Sequence, residues 1–212
     1  MKSLLVFPAQ WYPTQPYLST PYLCSYLKEK SWDVTQRDFN IESYDHFLSP
    51  TVLEKIVSKI ESRLTELKSQ KSFSFKEKSL MDVMATGVKF APTIISGVND
   101  AKKVMRTPEL FFDFNTYKQA DMIIKSALKL VSDAYSPSIL TLSTFESGTR
   151  AEESTQRSTE FARNKNINPF IDLYDEVLLP SEPWENYSLV GISIVGISQI
   201  LPGLTLARLL KE

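Results

Sequence analysis

Two short runs without a charge, SLLVFP (Ser3–Pro8) and LVGISIV (Leu189–Val195), stand at opposite ends of the sequence. Each has the continuous apolar character of a strand buried on both faces, as the inner strands of parallel sheets are. A chain built this way brings its two ends into one sheet and treats what lies between as an insertion.

The residues around each run support that reading. After SLLVFP comes AQWYPTQPY, a loop with two prolines and several aromatics. LSTPYLCSYLKEK then has Leu18, Tyr22, Leu23, Tyr26 and Leu27 at helical spacing, with Ser19 or Thr20 as N-cap and Pro21 in the first turn. Trp32–Phe39 (WDVTQRDF) alternates as a second strand does, so the first 42 residues predict a βαβ unit. At the other end, LVGISIV is followed by Gln199–Lys211, a helix with Ile200, Leu204, Ala207, Leu209 and Leu210.

Helical periodicity fills the middle. Ser49-Pro50 opens a helix striped by Leu53, Ile56, Val57, Ile60, Leu64 and Leu67. A second spans about Lys76–Met105, with a break expected near Pro92. Thr116-x-x-Gln119 predicts a capping box before Ile123, Ile124, Ala127, Leu128 and Val131. Ser143–Asn166 is polar and predicts a mobile loop with a short helix at Ala151–Arg163. Asn168-Pro169 caps a helix through Leu179. The expected architecture is α/β: a partial Rossmann- or flavodoxin-like parallel sheet, order 2-1-3, with a large all-helical insertion. Residues 1–42 and 187–212 form the α/β part, and 43–186 the insertion.

Charge removes whole classes of function. Lys+Arg 24 against Asp+Glu 25 leaves a net charge of −1, with no basic stripe to track nucleic acid. No run approaches the roughly 20 apolar residues of a membrane span, and MKSLLVFPAQ reads as a strand rather than a secretory signal. The lone Cys24 excludes an internal disulfide and a cysteine cluster, and points to the cytoplasm. In its helix it reads as a core thiol. His46 has no companion ligands at metal-site spacing, so it reads as a solvated or helix-starting residue and no metal site is expected. Glycine-rich phosphate loops and the Gly-x-Ser-x-Gly elbow are missing from the sequence.

What remains is the point where strand order reverses. Open α/β sheets bind ligands there, outside the carboxyl ends of the strands. With order 2-1-3, the loops Ala9–Gln15 and Gly196–Gln199 face each other. Gln10, Trp11 and Tyr12 from the first, with Ser193, Gly196, Ser198 and Gln199 from the second, are the candidate ligand-binding residues. Apolar rings and hydrogen-bonding groups suit a ligand. They equally suit packing of Trp11 and Tyr12 on the insertion, with the serines capping the last helix.

The segments YLCSYLKEK, WDVTQRDFN and above all LVGISIVGISQILPGLTLARLLKE resemble the cobalamin-binding domain of cobalamin-dependent radical S-adenosylmethionine enzymes. In that family a Val-Gly-Ile-Ser strand precedes a helix of the Gln-x-x-Pro-x-x-x-x-Ala type. The helical insertion and its NPF resemble the subset that modifies peptide natural products. The resemblance implies a cobalamin-binding module of a methyl-transferring or peptide-modifying enzyme, with the corrin over the strand-one and strand-three loops. It also implies an enzyme continuing through a fourth strand and a Cys-x3-Cys-x2-Cys radical domain. The iron–sulfur cluster would therefore lie outside this chain, which would be truncated and not catalytic alone, with cobalamin binding weak or absent. Expected partners are the rest of that enzyme or a second copy, through the edge of strand 189–195. The alternatives are a non-catalytic interaction domain with a degenerate Rossmann-like fold and the nucleotide-sugar-binding half of a glycosyltransferase.

Overall fold

The computed structural model describes residues 2–70 and 72–212. The strands β1 (Lys2–Phe7) and β2 (Asp33–Asp38) flank helix α1 (Ser19–Glu29), and helix α2 (Phe39–Phe47) follows β2 directly. Helices α3 (Pro50–Lys68), α4 (Phe75–Arg106), α5 (Pro108–Phe111) and α6 (Phe114–Ala134) come next. Two-residue strands β3 (Ile139–Leu140) and β4 (Phe145–Glu146) precede α7 (Thr155–Arg163) and α8 (Pro169–Leu173). The chain closes with β5 (Leu189–Ile192) and α9 (Ile200–Leu209). No helix among the described residues is long and apolar enough to cross a membrane.

The main sheet has the expected order, β2-β1-β5, with β1 pairing in parallel on both sides. Ser3 pairs with Val34 on one flank and with Leu189 on the other. As the middle strand, β1 buries Ser3, Leu4, Val6 and Phe7. By contrast β5, expected to be buried on both faces, has no residue in the buried class. Among the described residues it has a strand on one side only, so its apolar side chains stay half in water.

Two compact units result, 1–44 with 142–212, and 45–141. The insertion thus ends well before residue 186, and 142–186 packs with the sheet. The reason is a chain of rings. Phe145 lies 4.8 Å from Phe170 and 5.8 Å from Phe161. Phe170 stacks on Tyr174 at 6.3 Å, and Tyr174 meets Phe39 at 6.1 Å. Edge-to-face and offset aromatic pairs of this kind add about 0.5–1.5 kcal/mol each beyond their buried area. The same rings correct the expectation of a mobile loop over 143–166: Phe145, Ser147, Ala151, Ser158, Phe161 and Ala162 are all buried. Ser147 accepts the Ala151 amide at 3.0 Å, and Ser158 donates to the Ala151 carbonyl at 2.8 Å, so the polar residues close a turn.

Asn168 does cap as expected. Its Oδ1 accepts the Phe170 amide at 3.0 Å, while Nδ2 donates to Thr205 Oγ1 at 2.9 Å. That bond fixes the phase of α9, whose buried face is Leu201, Pro202, Gly203, Thr205 and Leu206 instead of the expected Leu204 stripe. α1 is rotated in the same sense. Thr20 and Cys24 are buried, while Leu18, Tyr22, Leu23 and Tyr26 face out. Helical spacing gives a stripe but not which flank of it meets the sheet.

Beside this core, Arg37 on β2 donates to Glu42 and, at 2.9 Å, to Glu182. Tyr187 donates to the other oxygen of Glu182 at 2.5 Å. Burial alone pushes the Glu182 carboxyl up. The Tyr187 and Arg37 hydrogen bonds and the Arg37 charge outweigh it and hold the group below its ordinary 4.5. A depressed carboxyl contributes stability above its unfolded value and loses it as pH falls through the folded one. Glu182→Gln should therefore cost about 1–3 kcal/mol at neutral pH, where a charged acceptor is lost. The gap from wild type should close on acidification below about 4.5 in thermal melts. A gap that stays constant down to the acid limit would show that the network does not act through charge.

The helical unit keeps the expected stripe of α3, with Leu53, Ile56, Ile60 and Leu64 buried. In α6, Ile124, Ala127, Leu128 and Val131 are buried. Its cap lies one turn earlier than Thr116: Asp113 accepts the Thr116 amide at 2.8 Å and the helix begins at Phe114. α4 runs through Pro92 without a break. A mid-helix proline costs about 3 kcal/mol. Met84, Ala91, Ile94, Val98 and Ala101 are buried on both sides of it, and at about 1.5–3 kcal/mol for each large side chain their burial outweighs that cost.

Candidate ligand site at the carboxyl ends of the strands

From the end of β1 the chain passes Ala9 and Gln10, which are 0% and 1% exposed, before Trp11 and Tyr12 emerge. Gln10 Nε2 donates to the Tyr44 hydroxyl, which donates on to the Leu142 carbonyl at 2.9 Å. Burial pushes the Tyr44 phenol far above its ordinary value despite the Gln10 contact, so it stays neutral. The Trp11 amide donates to Asn40 Oδ1 at 2.7 Å, and its indole N–H donates to the Gln15 carbonyl at 3.1 Å. Asp38, at the end of β2, accepts the amides of Asn40 and Ile41 and so orients Asn40. Burial raises its carboxyl, partly countered by these two amides.

The rings then form a shelf. Phe7 and Tyr17 stack at 5.9 Å, Tyr17 meets Trp11 edge-on at 5.4 Å, and Trp11 meets Tyr12 at 6.2 Å. Gly196 lies under this shelf, because a Cβ there would come within 3.1 Å of Trp11 Cζ3. A side chain there would require the indole to give by a few tenths of an ångström.

Gln199 joins the two loops. Fully buried, it donates from Nε2 to the Pro8 carbonyl at 2.8 Å and accepts the Val195 amide at 3.0 Å. Ser193 gives its amide to the Val6 carbonyl at 2.9 Å and shares a hydroxyl bond with Ser19 at 2.9 Å. Ser198 is half-buried.

The structure thus gathers all the sequence-derived candidates around the ends of β1 and β5, but it divides their roles. Gln10 and Gln199 spend their side chains on holding the loops. Tyr12 is exposed, and Trp11, Ser193, Gly196 and Ser198 are half-buried. Sequence reasoning missed Tyr17, Asn40, Tyr44 and Ile197, the last 75% exposed on the loop that carries Gly196. Of these, Tyr17 had a signal, an aromatic closing a proline-bracketed loop; Asn40 and Tyr44 gave none, since they arrive through β2 and α2. Cys24 is a core thiol as expected, 3.7 Å from the Val34 carbonyl, and His46 sits half-buried in the last turn of α2 against Phe47. No cluster of three or more metal-ligating side chains exists among the described residues.

Fold and site together define a Rossmann-like α/β unit with an aromatic shelf at its switch point. Comparison with known protein families, curated proteins and solved structures returns no match.

Proposed function

We propose that the chain is the cobalamin-binding module of a cytoplasmic radical S-adenosylmethionine enzyme of the methyl-transferring or peptide-modifying kind. The observation that carries this reading is the shelf: half-exposed rings and an exposed isoleucine, rimmed by hydroxyls, at the carboxyl ends of two adjacent parallel strands. A corrin is broad and apolar across its faces and polar at its amide rim. Trp11, Tyr12, Tyr17 and Ile197 match the faces, and Ser193 and Ser198 match the rim. Exposed apolar surface at such a point marks a binding site more often than chance packing. When bound, cobalamin would supply methyl-group transfer. This chain's residues hold and orient it, with Gln10 and Gln199 fixing the two loops. The rest of the enzyme, or a second copy, would join along the edge of β5.

Titration with hydroxocobalamin, followed by the visible corrin band, tests this. The shelf covers one side of the ligand only, so the dissociation constant should be weak, about 0.1–1 mM. Tyr12→Ala with Ile197→Ser touches exposed groups and should weaken binding at least ~10-fold, the loss of about 1.4 kcal/mol. Binding that ignores this double change would mean the site is elsewhere. A corrin band unmoved at millimolar cobalamin would favour the alternative, an interaction domain that keeps the fold without the cofactor.

A further inference from the structure

In the helical unit, α4 and α6 pack against each other in antiparallel fashion: a Cβ at Gly87 would meet Leu130 and Asp133, and one at Gly97 would meet Ile123. Along this pair runs a cleft of about 620 Å³, lined by α4 and α6 alone. Small-molecule sites commonly enclose about 300–1,000 Å³. Most of the wall is apolar, from Val83, Phe90 and Ile94 on α4 and from Met122, Ile123 and Leu130 on α6. Phe90 is 55% and Met122 61% exposed, so the cleft is open and two large apolar side chains stand in water at its mouth.

The charged groups of the lining do not balance. Asp133 is buried, and its two oxygens take the Lys129 ammonium at 2.8 and 2.9 Å. Asp82, on α4, has no hydrogen bond or ion pair to its carboxylate among the described residues. Lys89, two turns further along α4, has its Nζ 5.9 Å from the Phe90 ring instead. Asp82 and Asp133 against Lys129 leave the lining one negative charge in excess. The spare charge is Asp82, about 12 Å along the helix from Phe90 at 1.5 Å per residue.

We infer that this cleft binds a small organic cation, an ammonium carried on an alkyl or aryl body. The ammonium pairs with Asp82, and the body lies over Val83, Phe90 and Met122. An anion finds no unpaired cation in the lining among the described residues, since Asp133 already holds Lys129. A neutral molecule gains the same apolar burial but draws Asp82 out of water without a partner, which costs free energy. The unbranched, polarizable Met122 adapts to bodies of different shape. The inference does not rest on the cobalamin reading, because the shelf and the cleft belong to separate units.

Titration of the whole chain with dansylcadaverine, a primary ammonium on a dansyl aminopentyl body, tests this through the rise in probe fluorescence. The dissociation constant should be about 0.1 mM. The N-pentyl dansyl amide, which lacks the ammonium, should bind about 3–5-fold more weakly, the size of an exposed ion pair. Asp82→Asn should abolish that preference and leave the neutral probe unchanged. Phe90→Ser with Met122→Ser should weaken both probes at least ~10-fold. All three positions are exposed, so these variants should melt with wild type. Tyr12→Ala with Ile197→Ser, on the shelf, should bind both probes as wild type does. Equal affinity for the two probes, a preference that survives Asp82→Asn, or no binding up to about 1 mM overturns the inference. So does binding lost with the shelf variant in place of the Phe90 and Met122 variant. A chain that dimerises on concentration and is released by Phe90→Ser overturns it as well, since a second copy would then cover the cleft.

Discussion

Phe39→Ala should cost about 3–5 kcal/mol, the range for emptying a large aromatic site in a packed core. Phe39 is fully buried at the start of α2. Its ring meets Tyr174 at 6.1 Å and Trp184 at 6.2 Å, with the Arg37 guanidinium 5.0 Å above it. Truncation would remove all three contacts at once, and it would leave a void between segments far apart in sequence that cannot close up together. Domains hold only about 5–15 kcal/mol in total, so this single change should bring the chain near the unfolding threshold. Chemical denaturation should show the midpoint shifted, and amide exchange should accelerate in β1 and β2. Phe39→Leu keeps most of the volume and should lose far less. A loss under about 1 kcal/mol for the alanine variant would mean that the ring chain does not hold 142–186 to the sheet.

Gln199→Leu should rank next. Leucine is of similar size, but it would strand the Pro8 carbonyl and the Val195 amide, each costing about 1–3 kcal/mol when left unpaired. A net loss of about 3 kcal/mol would lower the melting temperature by roughly 6–12 °C for a chain of this size. Gln199→Glu keeps the acceptor for Val195 but sets a buried carboxylate against the Pro8 carbonyl, so at neutral pH it should cost at least as much as the leucine change. Ligand affinity should drop with the leucine variant even though its side chain never reaches the surface, because Gly196 and Trp11 depend on the loops it joins. A leucine variant that melts within about 2 °C of wild type would refute the tie. An unchanged affinity in a destabilised variant would separate the tie from the site.

How far the sequence went can be judged element by element. The parallel order of β2, β1 and β5 followed from two apolar runs and one βαβ pattern, because an apolar strand needs no more than local composition to announce itself. The stripe of α3 followed in the same way. Pro92 misled, since a proline's local penalty is visible in the sequence and the burial on both sides that outweighs it is not. Thr116 misled because Asp113 caps equally well one turn earlier. The switch-point residues were legible as a set, since topology alone puts those loops together. Their division of labour was not, because a glutamine that holds loops and one that binds a ligand look identical in sequence.

The sequence by itself determined the strands of the main sheet and their order, both of which rest on local pattern and chain connectivity. Only the tertiary structure decided which faces of α1 and α9 are buried, and that 142–186 belongs with the sheet. Those outcomes depend on contacts between distant segments, the rings of Phe39, Phe145 and Tyr174 and the bond from Asn168 to Thr205. Periodicity reports that a residue prefers burial, and packing alone determines which partner buries it.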